Sequence, residues 1–215
     1  MNRRFARLAA PVLASVGLAF ASVGASADTF SFESVVGTEN SGIAYTGMFD
    51  VTGSTLTLTL TLDPNGVDGF LTGVVFNEPA GAITGQTSQP TASFEFISGP
   101  EAASPYGSFD VGSALDGSFL GGGSPNGGVA LVDGATAEWT FSLAGNGYSA
   151  SDFWEETCTD AGCFGFVARF RGLDTQAGSD KIPAIPTPIP EPETYALMLA
   201  GLGLVGWVAR RRRTA

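Results

Sequence analysis

The sequence predicts an all-β protein: an antiparallel β-sandwich or jelly roll of about eight strands, followed at the C-terminus by a single transmembrane helix. Three observations carry this reading. From Thr55 to Leu62 the chain alternates threonine and leucine without a break, and a period of two belongs to a strand half-buried on a core. Thirty glycines, many gathered in turn clusters, leave little uninterrupted length for helices. No segment of the body sustains the 3.6-residue period of an amphipathic helix.

Residues 1–27 read as a signal peptide. Arg3, Arg4 and Arg7 form a basic start, Leu8 to Phe20 an apolar stretch, and Ala25-Ser26-Ala27 a cleavage site that leaves Asp28 as the new N-terminus. Asn2 precedes the arginine pair and Phe5 follows it, which favours the Sec translocon over a twin-arginine route. In the body, Ile43–Val51, Ser54–Leu62, Phe70–Phe76, Ser93–Ile97, Ala137–Leu143 and Phe164–Arg171 read as strands. In the last, Phe164, Phe166, Ala168 and Phe170 share one face, and Val167, Arg169 and Arg171 the other. Asp63-Pro64-Asn65-Gly66 reads as the turn of a hairpin joining Leu56–Leu62 to Phe70–Phe76. Were the uncharged Thr55–Leu62 ladder an edge strand, it would offer itself to pairing between molecules. Residues 28–182 are enough for one β-sandwich domain with its own core.

Beyond them, residues 183–192 carry Pro183, Pro186, Pro188, Pro190 and Pro192, a composition that prefers polyproline II. They predict an extended stalk. Residues 193–215 hold an apolar run from Thr194 to Ala209, then Arg210, Arg211, Arg212 and Arg213. Sixteen helical residues span about 24 Å, somewhat less than the roughly 30 Å hydrocarbon core, and snorkelling arginines cover the shortfall from the cytoplasmic side. This order of parts (Pro190-Glu191-Pro192, a glycine-containing apolar run, terminal arginines) resembles the PEP-CTERM sorting domain of Gram-negative bacteria. The resemblance implies recognition in the inner membrane by an exosortase, cleavage near Pro190–Pro192, and delivery to the cell surface or the extracellular polysaccharide matrix.

The charge balance narrows the partners. Between Asp28 and Glu191 only Arg169, Arg171 and Lys181 stand against twenty carboxylates, a net charge of −17. Such a surface repels phosphate backbones and anionic lipid, excluding nucleic acid as a partner. A neutral exopolysaccharide or a divalent cation remains compatible. Cys158 and Cys163 are the only cysteines, and in an exported chain they predict a disulfide closing a small loop. A zinc site is disfavoured, because the chain has no histidine.

Candidate chemistry is sparse. Without histidine the commonest general base is missing, and with both cysteines paired there is no thiol nucleophile. Lys181 lies in the linker. Asp152, Glu155, Glu156 and Asp160 cluster around Phe153 and Trp154 in a pattern suited to sugars, with Trp154, Glu155 and Glu156 as the foremost candidates, either as a stacking platform or as paired carboxylates. Asp63, Asn65 and Asp68 look at first like a calcium loop, but Val67 and Val74 occupy positions that should carry oxygen ligands. Calcium remains conceivable elsewhere, with Asp50, Asp110 and Asp133 at strand ends. The expectation is a non-enzymatic, cofactor-free, exported surface or matrix protein; the alternatives are a carbohydrate-binding module and a polysaccharide-active hydrolase.

Overall fold

The computed structural model describes residues 28–121, 123–175 and 178–187 and, in the tail, Met198, Gly201 and Leu202. Its strands are β1 (Asp28–Ser34), β2 (Ala44–Thr52), β3 (Thr55–Asp63), β4 (Phe70–Phe76), β5 (Ile83–Ser88), β6 (Phe94–Ala102), β7 (Ser108–Leu115), β8 (Val129–Ala130), β9 (Thr136–Leu143), β10 (Thr157–Thr159), β11 (Gly162–Phe164), β12 (Phe166–Arg171) and β13 (Ser179–Pro186). Eleven of them join in one antiparallel sheet ordered β5-β9-β3-β2-β1-β13-β12-β4-β7-β6, with β8 on β4; β10 and β11 form a separate hairpin. The sheet folds over on itself into two facing layers, and its end strands β5 and β6 come into contact without pairing. The result is nearly a barrel.

The core follows from the alternation. In β3, Leu56, Leu58, Leu60 and Leu62 are fully buried while their threonines face outward, each leucine contributing about 1.5–3 kcal/mol relative to exposure. Aromatic rings stitch the layers together. Phe49 of β2 lies 5.1 Å from Phe76 of β4, Phe32 of β1 lies 4.7 Å from Phe166 of β12, and Phe94 of β6 lies 5.5 Å from Trp139 of β9. A second cluster (Val75, Ile97, Tyr106, Phe109, Phe119 and Val167 among it) covers the outer side of the β12-β4-β7-β6 layer.

The all-β class and the antiparallel layering agree with the sequence, and the six strands read from it are present. Several expectations change. Among the described residues there are thirteen strands rather than about eight, because β1, β5, β7, β13 and the short strands β8, β10 and β11 escape the alternation pattern. β3 and β4 do not form a hairpin: β3 lies between β2 and β9, and β4 lies between β12 and β7 in the opposite layer. The turn at Asp63–Gly66 therefore carries the chain from one layer to the other. β3 is also internal, so it has no free edge for pairing between molecules. In β12 only Phe166, Ala168 and Phe170 enter the main core; Phe164 ends β11 and packs with Val167 in the second cluster.

The stalk is the largest revision. Residues 183–186 belong to β13, where Pro183 and Ala184 are buried, so the domain runs past residue 182 to Pro186. β13 is a bridging strand. Ser179–Pro183 pair with β12, and Ala184–Pro186 then pair with β1. Proline is tolerated because one ladder hands over to the other there, so few of its residues need ladder partners on both sides. The rest of the expected stalk, residues 188–192, lies outside the described residues, as do the signal peptide 1–27 and most of the tail. Of the expected transmembrane helix, Met198, Gly201 and Leu202 are helical. No helix among the described residues is long and apolar enough to cross a membrane.

Candidate functional site

Asp28, the expected first residue after signal cleavage, opens β1: it pairs with Val51, and its carboxylate accepts a hydrogen bond from the Ala150 amide at 2.8 Å. At the other end the Thr187 amide donates to the Ser31 carbonyl at 2.9 Å. Both ends of the body are thus held beside β1, and Pro190 follows Thr187 by three residues. Ala25, Ala27, Pro190, Glu191, Pro192 and Arg210–Arg213 lie outside the described residues.

β13 is anchored from several sides. Asp180, only 2% exposed, accepts hydrogen bonds from Thr38 Oγ1 (2.9 Å), the Glu39 amide (3.0 Å), the Ser41 amide (3.1 Å) and Ser41 Oγ (2.8 Å). Four donors replace the water a buried carboxylate has lost. Tyr45 Oη donates to the Ile182 carbonyl at 2.8 Å, and burial holds this phenol well above its usual range. Lys181, expected in a linker, sits in β13 opposite Arg169 of β12. Lys181 Nζ donates to the Ser104 carbonyl and Arg169 Nη1 to the Phe119 carbonyl. Burial lowers both pKa values, and the neighbouring cation adds to it in each case (Arg169 for Lys181, Arg171 for Arg169), while Asp180 and Glu39 pull Lys181 back up. Arg171 Nη1 reaches the Gly121 and Gly123 carbonyls, both at 3.3 Å. The body's three cations hold loops.

The sugar candidates separate. Trp154 closes a short 3-10 helix, Ala150–Phe153, and packs on the main core with its ring centroid 5.2 Å from those of both Phe30 and Phe32. A Cβ added at Gly165 would lie 2.9 Å from the same indole. Core residues, rather than the disulfide, hold this ring. Trp154 Nε1 lies 3.5 Å from Glu156 Oε1, at the outer limit of a hydrogen bond. Glu155 is exposed and turns elsewhere. Together with Glu78, Asp110, Gly99 and Pro100 it lines an open groove of about 380 Å³. Glu155 and Glu156 therefore do not share that groove.

Sequence reasoning missed the residue that builds the groove. Asn77, 5% exposed, donates Nδ2 to the Glu155 carbonyl (2.6 Å) and to Thr157 Oγ1 (3.0 Å), and its Oδ1 accepts the Asp110 amide at 3.2 Å. Asp110 lies near the start of β7, not at a strand end. The Glu78 carboxyl accepts from the Ile83 amide; burial raises its pKa and Asp110 adds to the rise, while the Ile83 bond opposes it. The groove offers acceptors, and one donor when Glu78 is protonated. An isolated asparagine after a strand carries no signal in the sequence that would have found it.

The disulfide is present. Cys158 and Cys163 face each other across the β10–β11 hairpin, with an S–S distance of 2.09 Å. Thr159 Oγ1 donates to the Pro105 carbonyl at 3.0 Å and the Phe164 ring packs on Tyr106 at 5.2 Å, so the hairpin clasps the β6–β7 connection. In the suspected calcium loop, Asp63 Oδ1 accepts the Asn65 amide at 3.3 Å and Asn65 Nδ2 donates to the Gly42 carbonyl at 2.8 Å. Asp68 meets Asp174 instead, its amide donating to Asp174 Oδ1 at 3.2 Å. The first bond belongs to the turn itself, and the other two tie it to neighbouring loops.

With the body described, residues 188–213 match the PEP-CTERM protein-sorting motif. The match starts at the residue after Thr187, which among the described residues is the last with a hydrogen bond to the sheet. The chain therefore carries a PEP-CTERM protein-sorting motif, and that motif implies export, targeting to the cell surface and processing by an exosortase. Neither a curated protein nor a solved structure matches the chain.

Proposed function

We propose that the protein is a non-enzymatic structural component of the cell surface or of the extracellular, exopolysaccharide-rich matrix, working without metal or cofactor. It leaves the cytoplasm through the Sec translocon, and signal cleavage after Ala27 frees Asp28. Residues 193–215 then hold it transiently as a transmembrane helix in the inner membrane, with Arg210–Arg213 on the cytoplasmic side. Exosortase cuts near Pro190–Pro192. The single observation that carries this reading is the sorting motif at residues 188–213, which in sequence follows β13, the last strand among the described residues, by one residue.

Carbohydrate binding through Trp154 draws no support from a ring packed on Phe30, Phe32 and Gly165. Hydrolysis by Glu155 and Glu156 draws none from side chains that diverge. Replacing Pro190, Glu191 and Pro192 by alanine tests the sorting route. The variant should accumulate as an uncleaved, signal-trimmed species in the inner membrane, read by intact mass and fractionation. Unchanged mature mass and destination would remove the exosortase step and leave a plain membrane anchor.

A further inference from the structure

The two outer faces of the folded sheet are treated differently by the chain. On the β12-β4-β7-β6 side, the second apolar cluster and the loops held by Arg169, Arg171 and Lys181 cover the sheet. On the β1-β2-β3-β9 side no such cluster lies over the strands among the described residues. There the outward positions of β3 from Thr55 to Thr61 are all threonines, with further hydroxyls beside Thr55, Thr57 and Thr61, while Thr59 stands between the exposed Met48 of β2 and Glu138 of β9. Thr55, Thr57, Thr59 and Thr61 run along β3, and the register sets Thr57 beside Thr140 of β9. Thr61 lies between Thr46 of β2 and Thr136 of β9. Neighbouring strands stand about 4.8 Å apart, and outward positions recur about every 6.8 Å along each.

Three properties of this face point to one kind of partner. The β3 threonine hydroxyls make no hydrogen bond to any other described residue, so each retains a donor and two acceptor positions. The face holds no cation, since the body's three cations are all on β12 and β13. Its carboxylates, Glu33, Asp50 and Glu138, flank the β3 row rather than interrupt it. An anionic polymer would meet the field of a body at −17 with no basic group here to receive it, and a second copy would bring the same charge. A neutral polyhydroxylated chain meets neither obstacle. Threonine offers it a methyl group for the ring and a hydroxyl for the rim, along an ordered, internal strand that stays put on binding.

We infer that the threonine face of β2, β3 and β9 is a docking surface for a neutral polysaccharide. The inference rests on the matrix reading and names the surface that would carry it. The test uses protein recovered after export, with retention measured on microcrystalline cellulose and dextran as neutral probes and alginate as the anionic comparison. Wild type should be retained by at least one neutral glucan and not by alginate. The triple variant Thr57→Val, Thr59→Val, Thr61→Val keeps shape and strand preference, and should weaken retention about ten-fold or more by removing three hydroxyls. Thr59→Glu should abolish it, and Trp154→Phe should leave it unchanged. Retention of the triple variant at wild-type strength, or no retention of wild type on either glucan, overturns the inference. So does a wild-type dimer in sedimentation that Thr59→Glu dissociates, since the face would then meet another copy. Mature mass and surface location are read on every variant. Lost binding with intact processing supports this face, whereas failed processing in wild type strikes the sorting reading alone.

Discussion

At the scale of single residues, Glu78 couples stability to acidity. Burial and the neighbouring Asp110 raise its folded-state pKa above the ordinary 4.5, so the native protein binds the proton more tightly than the unfolded chain does. Stability therefore falls as pH rises from 4.5 through the folded-state value, and the penalty persists above it. Glu78→Gln keeps an acceptor for the Ile83 amide and removes the titration. Its urea midpoint should decline less than that of wild type over that rise, and an identical profile would show that Glu78 is not strained. None of this was legible beforehand, because Asn77, Glu78 and Asp110 are brought together only by the pairing of β4 with β7. Gly47 teaches the same lesson: it interrupts the apolar face of β2 because a Cβ there would lie 2.1 Å from the Phe32 ring. The leucines of β3 were legible, since a period of two needs no partner to be recognised.

At the scale of elements, β13 and the β1–β2 connection stabilise one another through Asp180. Asp180→Ala strands the amides of Glu39 and Ser41 and two hydroxyls, for an expected loss of about 2–4 kcal/mol. The urea midpoint should drop with an unchanged m-value. A loss below about 0.5 kcal/mol would mean that water replaces the carboxylate freely and that β13 is held by its ladders alone. Pro183 and Pro186, read together with the three prolines that follow, concealed this strand from sequence reading. Proline spacing favours an extended backbone in either case, and only the surrounding ladders decide whether it is a free polyproline stretch or a strand. β5 and β7 were hidden by glycine and serine, whose side chains give no clear alternation. The disulfide was legible from spacing and compartment, but its use as a clasp on the β6–β7 connection depends on tertiary contacts with Pro105 and Tyr106.

At the scale of the whole molecule, charge opposes compactness. A body at −17 repels itself, and salt screens that repulsion over a Debye length near 8 Å at 0.15 M. Melting temperature should rise with sodium chloride from low ionic strength, by about 2–4 °C for each kcal/mol of repulsion relieved. Calcium at matched ionic strength should add little. A much larger calcium effect would reveal a specific site and overturn the cofactor-free proposal. The all-β class and the C-terminal sorting motif were readable, the one from alternation and the other from a short ordered pattern. Topology was not, because the order of thirteen strands is a property of long-range pairing that no local pattern encodes.

The handover within β13 also governs how the molecule bears load. A tether at its C-terminal end pulls first on the Thr187–Ser31 hydrogen bond and then on Ala184–Pro186, which share only a three-residue register with Phe32–Ser34 of β1. Because the two strands run antiparallel, a pull along their axis shears these bonds together instead of unzipping them singly. Behind them stands the longer register with β12 and the grip of Asp180. Drag on a tethered copy would thus meet its resistance in the very strand from which the sorting tail departs.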